Sequence, residues 1–152
     1  MKKLLLLHGA IGAASQFDKL KEELKDKFEV YSLNFSGHGG EEMPDEKYSI
    51  ELFADDAIKF IDKNKLEGID VYGYSMGGYV ALYIASKDKN KLGKIFTTAT
   101  KFDWNEETSV KESKMLNPAK IEEKIPAFAK AKRGKIPKLT KRWSHFLKSV
   151  EC

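Results

Sequence analysis

Apolar and polar positions follow two rhythms over the first hundred residues, one suited to strands and one to helices. Lys3 to Leu7 is a continuous aliphatic run, the pattern of a parallel strand covered on both faces. Phe17, Leu20, Leu24 and Phe28 recur close to one helical stripe among lysines and glutamates, with Ser15 placed as N-cap and Asp18 three residues on. Glu29 to Phe35 predicts a second strand. Ile50, Phe53, Ala54, Ala57, Ile58 and Ile61 mark one face of an amphipathic helix that Ser49 caps. After Gly68, Ile69 to Tyr72 is rich in β-branched and aromatic residues, as a short buried strand should be. Gly78 to Ser86 is apolar nearly all round, as an enclosed helix would be. Lys94 to Thr100 reads as a fourth strand.

Strands that alternate with helices imply right-handed βαβ units, and so an α/β fold with a parallel sheet of about four strands and helices on both faces. Past Lys101 the rhythm weakens. Asp103 to Asn117 is polar with short helical stretches, Pro118 to Lys130 predicts a helix broken at Pro126, and the remainder has only a weak stripe. The expected organisation is a core segment over 1–100, then a helical or irregular segment with a basic tail over 101–152.

Composition narrows the class. A chain of 152 residues with 41% hydrophobic and 33% charged residues fits one soluble globular domain. No apolar run approaches the roughly 20 residues that span a bilayer, so no membrane partner is expected. Met1-Lys2-Lys3 and four leucines imitate the start of a signal peptide, but the run stops at His8-Gly9. The expectation is the first strand of a cytoplasmic protein. Cys152 is the single cysteine, which leaves no internal disulfide, and Cys/His metal spacings are absent; neither metal nor cofactor is expected. The net charge of +4 is uneven, because Lys124 to Val150 holds nine Lys/Arg and no Asp/Glu. Such clusters can bind nucleic acid, but no aromatic stacking series accompanies this one, and a solvated tail is the expected reading.

The chemistry-bearing stretch is Gly73-Tyr74-Ser75-Met76-Gly77, set between the third strand and the helix that follows it. A serine between glycines at a strand-to-helix corner has the G-x-S-x-G pattern of a nucleophile elbow. The tight turn leaves little room for flanking side chains and lifts the serine hydroxyl clear of the sheet. Neither G-x-G-x-x-G nor G-x-x-x-x-G-K-[ST] occurs, which argues against a nucleotide-binding domain.

Together the motifs resemble the α/β-hydrolase superfamily, in its lidded esterase and lactonase form. Leu7-His8-Gly9-Ala10 is similar to the family's oxyanion loop, Phe35-Ser36-Gly37-His38-Gly39 to its Gly-His-Gly loop, and Gly73 to Gly78 to its elbow. Thr100 to Trp104 is similar to the point where the family leaves the sheet for the lid. The resemblance covers residues 1 to about 130, the N-terminal part of a full member. It implies Ser75 as nucleophile, the N–H groups of Ala10 and Met76 as oxyanion hole, and a small-molecule ester as substrate. It also implies a strand order of second, first, third, fourth, with Ile95 and Phe96 at an unpaired edge. That edge predicts a homodimer, an exchange of elements, or a tail folded over it.

Family members place an acid and then a histidine on loops after later strands. Here the sequence ends in what resembles the lid. His8 and His38 occupy motif positions that do not supply the base, Asp103 lies just past the fourth strand, and His145 lies in the basic tail. The expectation is therefore a serine hydrolase by ancestry that is weak or inactive as this polypeptide. The alternative is a non-catalytic α/β domain that dimerises through its edge.

Overall fold

The computed structural model describes residues 1–103, 105–115, 117–124 and 141–142. Two compact units are present: Met1–Met43 with Ser49–Lys101, and Pro44–Tyr48 with Phe102–Cys152.

The first unit is built on four parallel strands, β1 (Lys2–Leu7), β2 (Phe28–Ser32), β3 (Ile69–Tyr74) and β4 (Leu92–Thr98), in spatial order β2-β1-β3-β4. Leu4 to Leu7 of β1 sit opposite Asp70 to Gly73 of β3, which brings the C-terminal ends of the two central strands level. Helices α1 (Asp18–Leu24), α2 (Ile50–Lys63) and α3 (Met76–Lys87) form the crossovers. The chain moves toward one edge through α1 and toward the other through α2 and α3. Right-handed connections therefore place α1 on one face and the other two on the opposite face. In agreement, α3 packs on β1, β3 and β4 and against α2, while a 3₁₀ turn (Ala14–Phe17) meets β1 and α1 meets β2.

Burial explains which segments hold this arrangement. Leu5, Leu6 and Leu7 are fully buried at the sheet's centre, and Val80, Ala81 and Ile84 are buried along α3, which packs on that sheet. Phe53, Ala54, Ala57 and Ile61 form the inward stripe of α2. Each large aliphatic or aromatic side chain so enclosed contributes roughly 1.5–3 kcal/mol. At the far end of α2, Lys91 pairs with Asp62 and, at 2.9 Å, with Glu67, tying the helix to the strand connections.

Three local expectations shift. The 3₁₀ turn and α1 start after Ala13 rather than at Ser15. Asn34 Oδ1 accepts from the Ala14 N–H at 2.8 Å, and Gln16 Oε1 accepts from the Ala13 N–H at 3.3 Å. A carboxamide from 20 residues away thus satisfies a backbone donor at the start of the turn. β2 stops at Ser32, since Asn34 and Phe35 turn toward other loops. β4 begins two residues early, where Leu92 pairs with Ile69, and ends at Thr98 opposite Tyr74; the register between is irregular, and Asp70 Oδ1 accepts from the Lys94 N–H at 2.8 Å there. Ala99 then takes φ +54° and ends the strand.

Among the described residues β4 pairs only with β3, and its Phe96 is 64% exposed. The Phe96 ring stacks on Tyr72, with centroids 5.8 Å apart, and the Tyr72 hydroxyl shares a 2.7 Å hydrogen bond with Thr98.

The second unit holds α4 (Glu106–Met115) and α5 (Pro118–Lys124). Asn105 and Thr108 exchange backbone and side-chain hydrogen bonds at 2.9 Å, which satisfies the first donors of α4. Asn117 does the same for α5 through the Ala119 and Lys120 N–H groups. Arg142 donates to the Pro44 and Glu46 carbonyls and lies over the Tyr48 ring. The expected helix from Pro118 to Lys130 is confirmed as far as Lys124; the part around Pro126 lies outside the described residues. No described helix is long and apolar enough to cross a membrane.

Candidate active site

The corner between β3 and α3 is shaped by what glycine lacks. A Cβ on Gly73 would lie 2.4 Å from the Gly78 backbone, and one on Gly77 would lie 2.2 Å from the Leu7 carbonyl. Both distances are far inside van der Waals contact, so only glycine lets α3 start this close to β1 and β3. Between them Ser75 is held at φ 52°, ψ −115°. A left-handed φ of this kind costs a side-chain-bearing residue on the order of 1–3 kcal/mol. It persists because the peptides on either side are fixed. The Ser75 N–H donates to the Thr98 carbonyl at 2.8 Å. The Ser75 carbonyl accepts from the N–H groups of Gly78 and Tyr79 and from Thr100 Oγ1, at 3.1, 3.4 and 2.9 Å.

Ser75 is half-buried and stands immediately before the 12 residues of α3, and its hydroxyl does not cap the helix. The side chain is thus left beside the positive end of the helix dipole. The loop after β1 reaches the same place. A Cβ on Gly9 would lie 3.3 Å from Ser75 Cβ and 3.1 Å from the Tyr74 ring, so Gly9 brings the backbone of residues 8–12 against the serine. Ala10 follows it in a turn closed by the Gly12 N–H on the Gly9 carbonyl at 3.0 Å.

The two histidines of this unit are fully buried and tie loops together. His8 Nε2 accepts from the Phe35 N–H at 3.2 Å, which leaves Nδ1 to donate to the Gly9 carbonyl at 2.8 Å. His38 Nδ1 donates to the Ser36 carbonyl at 2.9 Å, and its ring meets those of His8 and Phe53. The loop carrying His38 is held in turn by Asp56 of α2, whose two carboxylate oxygens accept from the N–H and hydroxyl of Ser36 at 2.8 and 2.9 Å. A depression of about 660 Å³ beside this clamp is lined by Asn34, Ser36, Glu41 and Asp56 and does not include Ser75.

Asp103 belongs to the second unit, is exposed, and engages Thr108 Oγ1 through its backbone carbonyl at 3.3 Å. His145 lies outside the described residues. The structure thus gathers Ser75, Met76 and the Ala10 loop at one corner of the first unit. Thr98 and Thr100, which secure that corner, carry no sequence signal for that role: Thr98 reads as part of a strand, and Thr100 as its end and the start of the departure toward the lid.

Comparison with known proteins gives the family. A family model for the alpha/beta hydrolase fold covers residues 2–145. The chain belongs to that family. A pimeloyl-[acyl-carrier protein] methyl ester esterase of Neisseria meningitidis is 32% identical over 100 residues, which are 66% of this chain and 37% of the esterase. A thermophilic esterase from Thermogutta terrifontis superposes with a TM-score of 0.69 at 21% identity, over 99% of this chain and 59% of its own. MGS-M2, an alpha/beta hydrolase enzyme from a Medee basin deep-sea metagenome library, gives 0.73 at 15% identity, over 99% and 64%. At such identities the two structures speak for the fold alone. The matched region spans about a third of the curated esterase and about three fifths of the solved chains.

Proposed function

We propose that this chain is a serine hydrolase acting on carboxylic esters or lactones, with Ser75 as nucleophile and the N–H groups of Ala10 and Met76 as oxyanion hole. The conformation of Ser75 carries the reading: φ 52° on a non-glycine residue at the head of α3, with a hydroxyl that caps nothing. Ser75 Oγ attacks the ester carbonyl carbon, and the charge that develops on the carbonyl oxygen faces the two N–H groups. The C–O bond to the alkoxide then breaks, and the alkoxide leaves as the alcohol with the proton given up by the Ser75 hydroxyl. Water releases the acyl group from Oγ as the carboxylic acid and restores the hydroxyl. The esterase among the relatives supports a carboxylic ester as the substrate class.

A serine hydroxyl needs a base at neutral pH. Both histidines of the first unit are committed to backbone groups, and His145 is the one histidine that follows Ser75 in the sequence. Sites stripped of triad members but otherwise intact retain about 10³–10⁴ over the water reaction. We therefore expect slow hydrolysis at Ser75. With p-nitrophenyl acetate we expect a weak rate above buffer that disappears in Ser75→Ala. An equal rate in the variant removes Ser75 from the chemistry, and efficient turnover contradicts the slow step.

The exposed Phe96 on β4 favours a second reading, a non-catalytic domain that pairs with another copy through that edge. Light scattering decides it: a dimer that Phe96→Lys dissociates supports pairing, and a monomer at millimolar concentration ends it.

A further inference from the structure

We infer that Thr100 is a positioning residue for the oxyanion hole, acting through the peptide that joins Ser75 to Met76. This rests on the reading of Ser75 and Met76 given above. A peptide unit is a rigid plane with its carbonyl at one end and its N–H at the other. Fixing the Ser75 carbonyl therefore fixes the direction of the Met76 N–H. The Thr100 hydroxyl donates to that carbonyl at 2.9 Å, from the loop after β4 and so from outside the helix.

The contact is built rather than incidental. Ala99 takes φ +54°, which turns the chain back after Thr98. A Cβ on residue 78 would lie 2.1 Å from Thr100 Oγ1, so the hydroxyl reaches the elbow only because Gly78 is there. The Thr98 carbonyl meanwhile holds the Ser75 N–H at 2.8 Å. The end of β4 thus grips the peptides on both sides of Ser75, one through a carbonyl and one through a hydroxyl.

Two consequences follow for an oxygen that gains charge beside Met76. The donor is already aimed, so little reorganisation is needed as the charge develops. A carbonyl that accepts several hydrogen bonds also polarises its own peptide, which strengthens the N–H at the other end by an order of 10–30% per bond. Both act on the step in which charge appears and leave binding unchanged.

The test uses the full chain as wild type, Thr100→Val and Thr100→Ser, with a fluorophosphonate followed by intact mass at several concentrations. Labelling forms the Ser75 Oγ–P bond and breaks P–F; fluoride leaves, and the hydroxyl proton passes to solvent or base. Thr100→Val should lower the limiting labelling rate about tenfold, the loss of one ordinary hydrogen bond. The apparent affinity should stay within about twofold of wild type on the same ground, and Thr100→Ser should restore the rate. In the same three proteins, the Ser75 carbonyl ¹³C and Met76 amide ¹⁵N resonances should move in Thr100→Val and return in Thr100→Ser. Unchanged rate and resonances in Thr100→Val overturn the inference. If wild type takes no label, the nucleophile reading falls, and the resonances alone judge Thr100: unmoved they overturn its role, moved they sustain it.

Discussion

At Ser75 a side chain occupies backbone space that glycine would fill at lower cost. The left-handed conformation at φ 52° is imposed by the Thr98 and Thr100 contacts and by the close approach of Gly73 and Gly77. Strain of this kind is kept where function needs it and is released when the residue is changed. Ser75→Gly should therefore raise stability by about 1 kcal/mol, read as a higher urea midpoint at constant slope. An unchanged or lower midpoint would mean that no strain is stored at this corner. Gly77 stands in the opposite position. A methyl group there meets the Leu7 carbonyl at 2.2 Å, a main-chain atom that cannot swing aside. Gly77→Ala should cost about 1–3 kcal/mol or more by overpacking, and a midpoint equal to wild type would contradict the packing described at the elbow.

Between elements, the Lys91 cluster makes stability depend on pH at both ends of the scale. The hydrogen bond from Lys91 holds the Asp62 carboxyl below its usual range, against a smaller opposing effect of burial. Asp62 therefore adds stability above its unfolded pKa, and that stability is lost as the pH falls below about 4. The hydrogen bonds to Asp62 and then Glu67 raise the Lys91 ammonium above its usual value. Its contribution is fully present through neutral pH and disappears as the pH climbs past about 10. Lys91→Met should lower stability at pH 7 and flatten both limbs of the unfolding midpoint against pH. A variant that keeps the wild-type acid limb would show that the pair is solvated and idle, as many exposed ion pairs are.

For the molecule as a whole, what could be read beforehand follows from the range of the interactions involved. The order of strands and helices, the buried stripe of α2 and the glycine corner around Ser75 were legible, because periodicity and turn sterics act between near neighbours. The seatings of α1, β2 and β4 were not. Asn34 reaches Ala14 from 20 residues away, and Asp70 reaches Lys94 from 24, and such distant partners leave no trace in a local pattern. The hold of Thr100 on the elbow escaped for the same reason, since its partner lies 25 residues back. The boundary near residue 100 was drawn from fading periodicity, which says nothing of Pro44–Tyr48, a loop that groups with the second unit. The family, the parallel sheet and the corner are in place; the chemistry at Ser75 rests on one hydroxyl. Intact-mass detection of fluorophosphonate labelling, on wild type and on Ser75→Ala, addresses that hydroxyl without needing the true substrate. A single, slow addition to wild type that is absent from the folded variant is the predicted result. A folded wild type that takes no label, or a variant that labels equally, would mean that the elbow keeps its shape without its chemistry.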